Sequence, residues 1–171
     1  IIPRPEPRRR TRRMFVGQEI ERKFLVKEDL WRPQGTGSKV RQGYLPQAGE
    51  LLVRIRTQDD RAFLTFKGRT ISITRTEFEY EIPAADAAEL LAFCQRPLIE
   101  KVRYLEEVAG HLWEIDYFYG ENEGLIVAEI ELQSEDEPFA RPDWLGEEVS
   151  GDPRYYNANL AEHPYRAWGR G

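Results

Sequence analysis

Polar and apolar residues alternate one by one along most of this chain. From Glu19 the series runs Glu-Ile-Glu-Arg-Lys-Phe-Leu-Val, so Glu19, Glu21 and Lys23 share one side of an extended strand and Ile20, Arg22 and Phe24 the other. The same period of two returns at 39–46, 51–58, 61–68, 73–82, 98–108, 111–119 and 124–133, and with 18–26 it predicts eight strands. Only 83–94 changes period. There Ala87, Leu90, Leu91 and Cys94 recur at helical spacing, with Pro83 at the start. A short closing helix is predicted over 153–162, and 135–151 reads as a proline-containing connection. Tight polar links at Asp59-Asp60, Ala109-Gly110 and 120–123 make neighbouring strands antiparallel. The expected fold class is α+β but mostly β: an eight-stranded antiparallel closed barrel with a few flanking helices.

The polar sides of these strands are charged. They carry Glu19, Glu21 and Lys23; Arg54 and Arg56; Lys67; Arg75, Glu77 and Glu79; Lys101 and Arg103; Glu114 and Asp116; Glu129 and Glu131. In an ordinary half-buried sheet these charges would face water. The apolar sides would then have to fit Phe24, Phe66, Phe78, Tyr80, Tyr104, Trp113 and Tyr117 into one eight-stranded interior, which is narrow. In the inverted arrangement the apolar sides pack outward under helices and long segments, and the charges line the lumen. Pattern alone leaves both arrangements open.

Composition narrows the function classes. At 171 residues, 40% hydrophobic, the chain is long enough for one domain with a core. Its charged fraction of 32% exceeds the ~25% of a typical domain. No apolar run approaches the roughly 18 residues of a membrane span, and no apolar core follows the basic N-terminus, so neither a membrane segment nor a secretory signal is expected. Cys94 stands alone and reads as core packing. A cytoplasmic setting is the expectation. Residues 1–13 hold six Arg and one Glu, or +5; with a total of −5, the remaining 158 residues carry −10. Residues 1–13 read as a disordered basic extension and 14–171 as a single domain. Met14, the only methionine, leaves two readings of that extension: residues preceding the native start, or a basic arm for acidic partners. The acidic body argues against a nucleic-acid surface.

Mixed charge inside a barrel is costly unless it is paired or meets a ligand. A polyanion with divalent cations is such a ligand: carboxylates bind hard cations, Arg and Lys bind phosphoryl oxygens. The residues here carry a resemblance. Glu19-Ile-Glu-Arg-Lys23 resembles the Glu-x-Glu-x-Lys signature of the CYTH superfamily, the triphosphate tunnel metalloenzymes. It is followed in order by Arg54-x-Arg56, Thr65-x-Lys67, Arg75-x-Glu77-x-Glu79, Lys101-x-Arg103, Glu114-x-Asp116 and Glu129-x-Glu131. Gly146-Glu-Glu-Val149 and Arg154-Tyr-Tyr-Asn157 look like the closing segment of its short bacterial members.

The resemblance implies an eight-stranded tunnel that binds a small polyanionic substrate, tripolyphosphate or an organic triphosphate, with Mg2+ or Mn2+. It makes Glu19, Glu21, Glu129 and Glu131 the metal candidates, with Glu77, Glu79, Glu114 and Asp116 weaker ones that could instead orient the bases. Lys23, Arg54, Arg56, Lys67, Arg75, Lys101 and Arg103 become the phosphate candidates. Arg41 either joins them or is a rim residue. Lys23 and Lys101 are the candidates for steering protons or neutralising charge, and Glu21 for the metal that activates a water. The implied reaction is metal-dependent in-line hydrolysis of tripolyphosphate. Adenylate cyclase, nucleoside, RNA or thiamine triphosphatase, and a non-catalytic polyphosphate module are the alternatives, and a homodimer is left open. Other motifs carry less. Gly35-Thr-Gly37 lacks the Lys-Ser/Thr of a phosphate loop. His111, in a hairpin turn, is expected in solvent, and neither it nor His163 has metal-ligand spacing. Tyr155 and Tyr156 either close one tunnel mouth or pack in the core, and core packing is the expectation.

Overall fold

The computed structural model describes residues 13–47 and 49–169, the first four of them by backbone alone. Nine strands form: β1 Arg13–Val26, β2 Ser38–Tyr44, β3 Leu52–Gln58, β4 Arg61–Lys67, β5 Thr74–Ile82, β6 Ile99–Val108, β7 His111–Phe118, β8 Ile126–Glu131 and β9 Leu145–Glu148. Two helices accompany them, α1 Ala84–Leu91 and α2 Asn157–Glu162. The expected basic extension lies outside the described residues except for Arg13, which begins β1.

Around the barrel the order is β1, β5, β4, β3, β2, β6, β7, β8 and back to β1, every pair antiparallel. The links explain the pairing. Ala109 and Gly110 both take positive φ, 49° and 84°, the two-residue turn whose twist suits a hairpin. At the β3–β4 turn Asp59 has φ 51°, which Asp tolerates, and its carboxylate accepts the Lys39 N–H at 2.9 Å.

Closure falls on β1. Its first part pairs with β5 (Glu19 opposite Arg75) and its second with β8 (Glu21 opposite Glu131, Lys23 opposite Glu129). The long strand therefore starts earlier than the alternation from Gln18 indicated. The eight-stranded closed barrel is as expected, and a ninth strand is added to it. β9, inside the expected connection 135–151, pairs Glu148 with Phe24 and Leu145 with Val26, beyond the part of β1 that β5 covers. Its approach needs Gly146, where a Cβ would lie 2.9 Å from the Leu25 carbonyl oxygen. Leu-Gly-Glu-Glu has no apolar alternation, so nothing in its sequence announces a strand.

The sheet is inverted, with charge inside. Outside β1, β7 and β8, Phe24, Trp113, Ala128 and Ile130 are buried with Trp31, Trp144 and Leu145 of the long segments. α1 covers Ile55 and Ala62 with Ala87, Leu91 and Cys94, so the cysteine is core as expected. The third apolar cluster lies in the lumen itself. Ile99, Phe118 and Val127 sit two residues from Lys101, Asp116 and Glu129 on the same strand faces, and Leu160 and Ala161 of α2 are buried against them. α2 thus seals one end of the tunnel. His111 departs from expectation: it is half-buried, its Nε2 2.9 Å from Glu137 Oε1. No described helix is long and apolar enough to cross a membrane.

Candidate functional site

The lumen encloses a cavity of about 870 Å³. Every charged position predicted from the alternating faces except Asp116 lines it, and Asp116 lies fully buried behind two of those bases. Alternation does the placing: each strand turns every second side chain inward, and the register sets acids beside bases.

Three ion-pair groups organise the wall. In the first, Glu19 Oε2 accepts from Arg75 Nε at 2.7 Å and from Lys67 Nζ at 3.4 Å, and Lys67 also meets Glu77 Oε2 at 2.6 Å. In the second, Glu79 Oε2 accepts from Arg54 at 3.0 Å, Arg56 at 3.2 Å and the Thr65 hydroxyl at 2.9 Å. In the third, Asp116 accepts from Arg103 through both oxygens at 2.7 Å and from Lys101 Nζ at 2.5 Å, and Arg103 also bonds Glu114. Lys23 Nζ pairs with Glu129 at 2.7 Å. Asp116 and Glu79, both weaker metal candidates, have their oxygens occupied by bases and serve here to hold those bases in place.

Electrostatics divides the carboxylates. Burial pushes Glu129 up, but Lys23, Lys101 and Arg103 outweigh it and hold the group well below the carboxylate range. Glu19 is buried too, and Lys67 and Arg75 bring it down to about 2. Glu21 goes the other way. Burial, then Glu129 and Glu19, push it up to about 8. Burial, then Glu19, Glu114 and Glu77, raise Glu131. Among the bases, burial first and then Arg103 lower Lys101 to about 8, with Asp116 offsetting part of the effect.

The acids fit a divalent cation. Glu21 and Glu131 stand opposite in register, and neither has an ion pair or side-chain hydrogen bond among the described residues. Like charges placed so cost stability, and a cation between them removes that cost. Among the described residues no three carboxylate, imidazole or thiol side chains converge into a closed cage. That suits a small hard ion that takes one or two carboxylates and fills its remaining positions with water and substrate phosphate.

Arg41 is not brought to the lumen. It sits on the outer face of β2, more than half exposed, 3.5 Å from Glu100. The inward residues of that strand are its alternates, Gln42 and Tyr44, and the Gln42 amide donates to the Tyr44 hydroxyl at 2.8 Å. Sequence reasoning missed this pair because the charged face of β2, Lys39 and Arg41, is the one that turns outward. It also missed Ser150 and Asn157, which line the cavity from the closing segment. Tyr156, expected in the core, lines the cavity as well, while Tyr155 packs edge-on against Trp168, ring centroids 5.1 Å apart.

An antiparallel tunnel closed at one end, its wall setting bases beside carboxylates, is chemically suited to a polyanion. The chain belongs to the CYTH domain family, whose model matches residues 17–165 and so spans every lumen residue described above. It is 48% identical over 152 residues to an inorganic triphosphatase of Acetivibrio thermocellus, covering 88% of this chain and 97% of that one. An inorganic triphosphatase of Nitrosomonas europaea is 38% identical over 149 residues, covering 84% and 96%. A crystal structure of an inorganic triphosphatase matches with a TM-score of 0.61 at 36% identity, over 84% of this chain and 93% of that one. A conserved hypothetical protein from Pyrococcus furiosus shares the fold at 22% identity, TM-score 0.52.

Proposed function

We propose that this protein hydrolyses inorganic tripolyphosphate to orthophosphate and diphosphate. The observation that carries the reading is the lumen: seven bases from the strand faces line one cavity closed at its far end by α2, beside two opposed carboxylates that make no ion pair among the described residues. The similarity to two inorganic triphosphatases over nearly their whole length supports the same substrate class.

Arg54, Arg56, Arg75 and Arg103 offer planar forks to phosphoryl oxygens, and Lys23, Lys67 and Lys101 offer point charges. Their acidic partners hold them in position before substrate arrives, so little reorganisation accompanies the spread of charge over the transferring phosphoryl group. Glu21 and Glu131 would hold the cation, with Glu19 and Glu129 beside them in the same wall. Mg2+ or Mn2+ bound there would polarise a phosphoryl oxygen and lower the pKa of a water. In hydrolysis a water oxygen would bond to the terminal phosphorus as the bridging P–O bond opposite breaks, diphosphate leaving with the bridging oxygen and the water's proton passing to solvent. The residues supply alignment and charge, which are most of what this chemistry requires.

A phosphate-release assay on tripolyphosphate, ATP and thiamine triphosphate with Mg2+ or Mn2+ tests the reading. Tripolyphosphate should be turned over fastest. No turnover of any of the three overturns the proposal, and cyclic AMP formed from ATP would replace it with a cyclase.

A further inference from the structure

α2 does more than seal the tunnel. Its first residue, Asn157, reaches one of the bases: Lys101 Nζ donates to Asn157 Oδ1 at 3.0 Å. An ammonium has three N–H donors. A second goes to Asp116 Oδ2 at 2.5 Å. No described acceptor takes the third, and Lys101 lines the cavity.

The two acceptors come from separate elements. Asp116 is on β7, fixed by Arg103 on both its oxygens. Asn157 is carried by α2, anchored by the fully buried Leu160. One acceptor leaves an ammonium free to swing about the bond it makes. Two from different directions set where the remaining N–H points. An amide suits this place because it is neutral: it orients Lys101 without cancelling the charge, whereas a second carboxylate would draw the ammonium away from a polyanion. Since an ammonium only donates, the amide must present its oxygen.

We propose that Asn157 is a positioning residue, holding the Lys101 ammonium so that its free N–H meets a phosphoryl oxygen at the closed end of the tunnel. This rests on the triphosphate reading of the site. Asn157 acts through Lys101, so its removal matters only while Lys101 is there.

A double-mutant cycle tests this. Tripolyphosphate affinity is measured by calorimetry in EDTA, and kcat and KM with Mg2+, for the unaltered protein, Asn157→Ala, Lys101→Met and the double variant. Asn157→Ala should weaken binding by about tenfold, the loss of one charge-assisted hydrogen bond. In the Lys101→Met background the same change should cost less than about twofold. An equal loss in both backgrounds overturns the proposal, and so does no loss in either. If Asn157→Ala does not fold, Asn157→Ser carries the cycle. Unaltered protein that binds tripolyphosphate without hydrolysing it defeats the hydrolase reading alone, since the binding cycle still decides on Asn157. Unaltered protein that neither binds it in EDTA nor turns it over with Mg2+ overturns both.

Discussion

Glu21 and Glu131 face each other across neighbouring strands, two carboxylates in register with no ion pair among the described residues. Substituting either changes metal-free stability and metal-dependent activity in opposite directions. Glu21→Gln or Glu131→Gln should raise the melting temperature in EDTA, because burial and neighbouring carboxylates make each ionised carboxyl costly in the folded protein and an amide is neutral without taking up a proton. On the proposed reading turnover with Mg2+ should fall by about a hundredfold or more, because a cation held there would supply several kcal/mol of transition-state stabilisation. Mg2+ should stabilise the unaltered protein, by about 2.7 kcal/mol at a hundred times its Kd, and the variants much less. Turnover that survives both substitutions would remove these carboxylates from the metal site.

Lys101 makes activity sensitive to alkaline pH. With its pKa lowered to about 8, first by burial, it loses its charge as pH rises through that value. kcat/KM, which reports the free enzyme, should fall on that limb, and Lys101→Met should abolish the limb along with much of the rate. Stability has the opposite sign. Between about 8 and the ordinary 10.5 the unfolded chain binds the proton that folded Lys101 has lost, so the Lys101 contribution to stability rises with pH across this window. Denaturant titrations of both proteins at pH 7 and pH 10 check it.

Outside the barrel, one carboxylate joins two long segments. Glu106 accepts the indole N–H of Trp31 at 3.0 Å and that of Trp144 at 3.1 Å. Both rings are buried. Glu106→Ala leaves two buried donors without partners, and a loss of about 2–4 kcal/mol is expected. Chemical denaturation followed by tryptophan fluorescence measures it. A change below about 0.5 kcal/mol would show that water replaces the carboxylate.

Arg22 and Glu148 clip β9 to β1 through two bonds, 2.8 and 2.6 Å. The pair is partly exposed, so Glu148→Gln should cost only about 1 kcal/mol at neutral pH. Hydrogen bonding from Arg22 holds the Glu148 carboxyl below its ordinary 4.5. That stability is fully present above 4.5 and is lost as pH falls through the lowered value. The two proteins should therefore differ at pH 7 and converge in acid.

The parts of this molecule that obey one repeating rule were legible in its sequence. Glu19, Glu21 and Lys23 announced a shared charged face because five-residue alternation needs no neighbours to be seen, though not which way that face points. The choice between inside and outside turned on bulk: Trp113 and Phe24 are fully buried, but beneath Trp144 and Phe139 outside the barrel, where there is room for rings. What stayed hidden depends on tertiary context. Arg41 and Gln42 are adjacent, and only the register of β2 against β3 and β6 says which one faces in. β9 is a strand because β1 offers it an edge and Gly146 lets it approach. Asn157 joins the site because a helix distant in sequence docks under Lys101. His111 found Glu137 through a loop whose path no local pattern describes.

The position of the closing seam has a consequence for synthesis. β1 leaves the ribosome first among the strands, yet Glu21 waits 110 residues for Glu131, and Phe24 longer for Glu148. β2 to β5 can pair as they emerge and β5 can take the first part of β1, while the part of β1 from Glu21 on stays unpaired until almost the whole chain has been made. Contacts so distant slow folding and leave time for wrong pairing. Charged residues on an unpaired strand discourage another chain from adding to it. The carboxylates and lysine that later serve the lumen thus also protect the nascent chain while it waits.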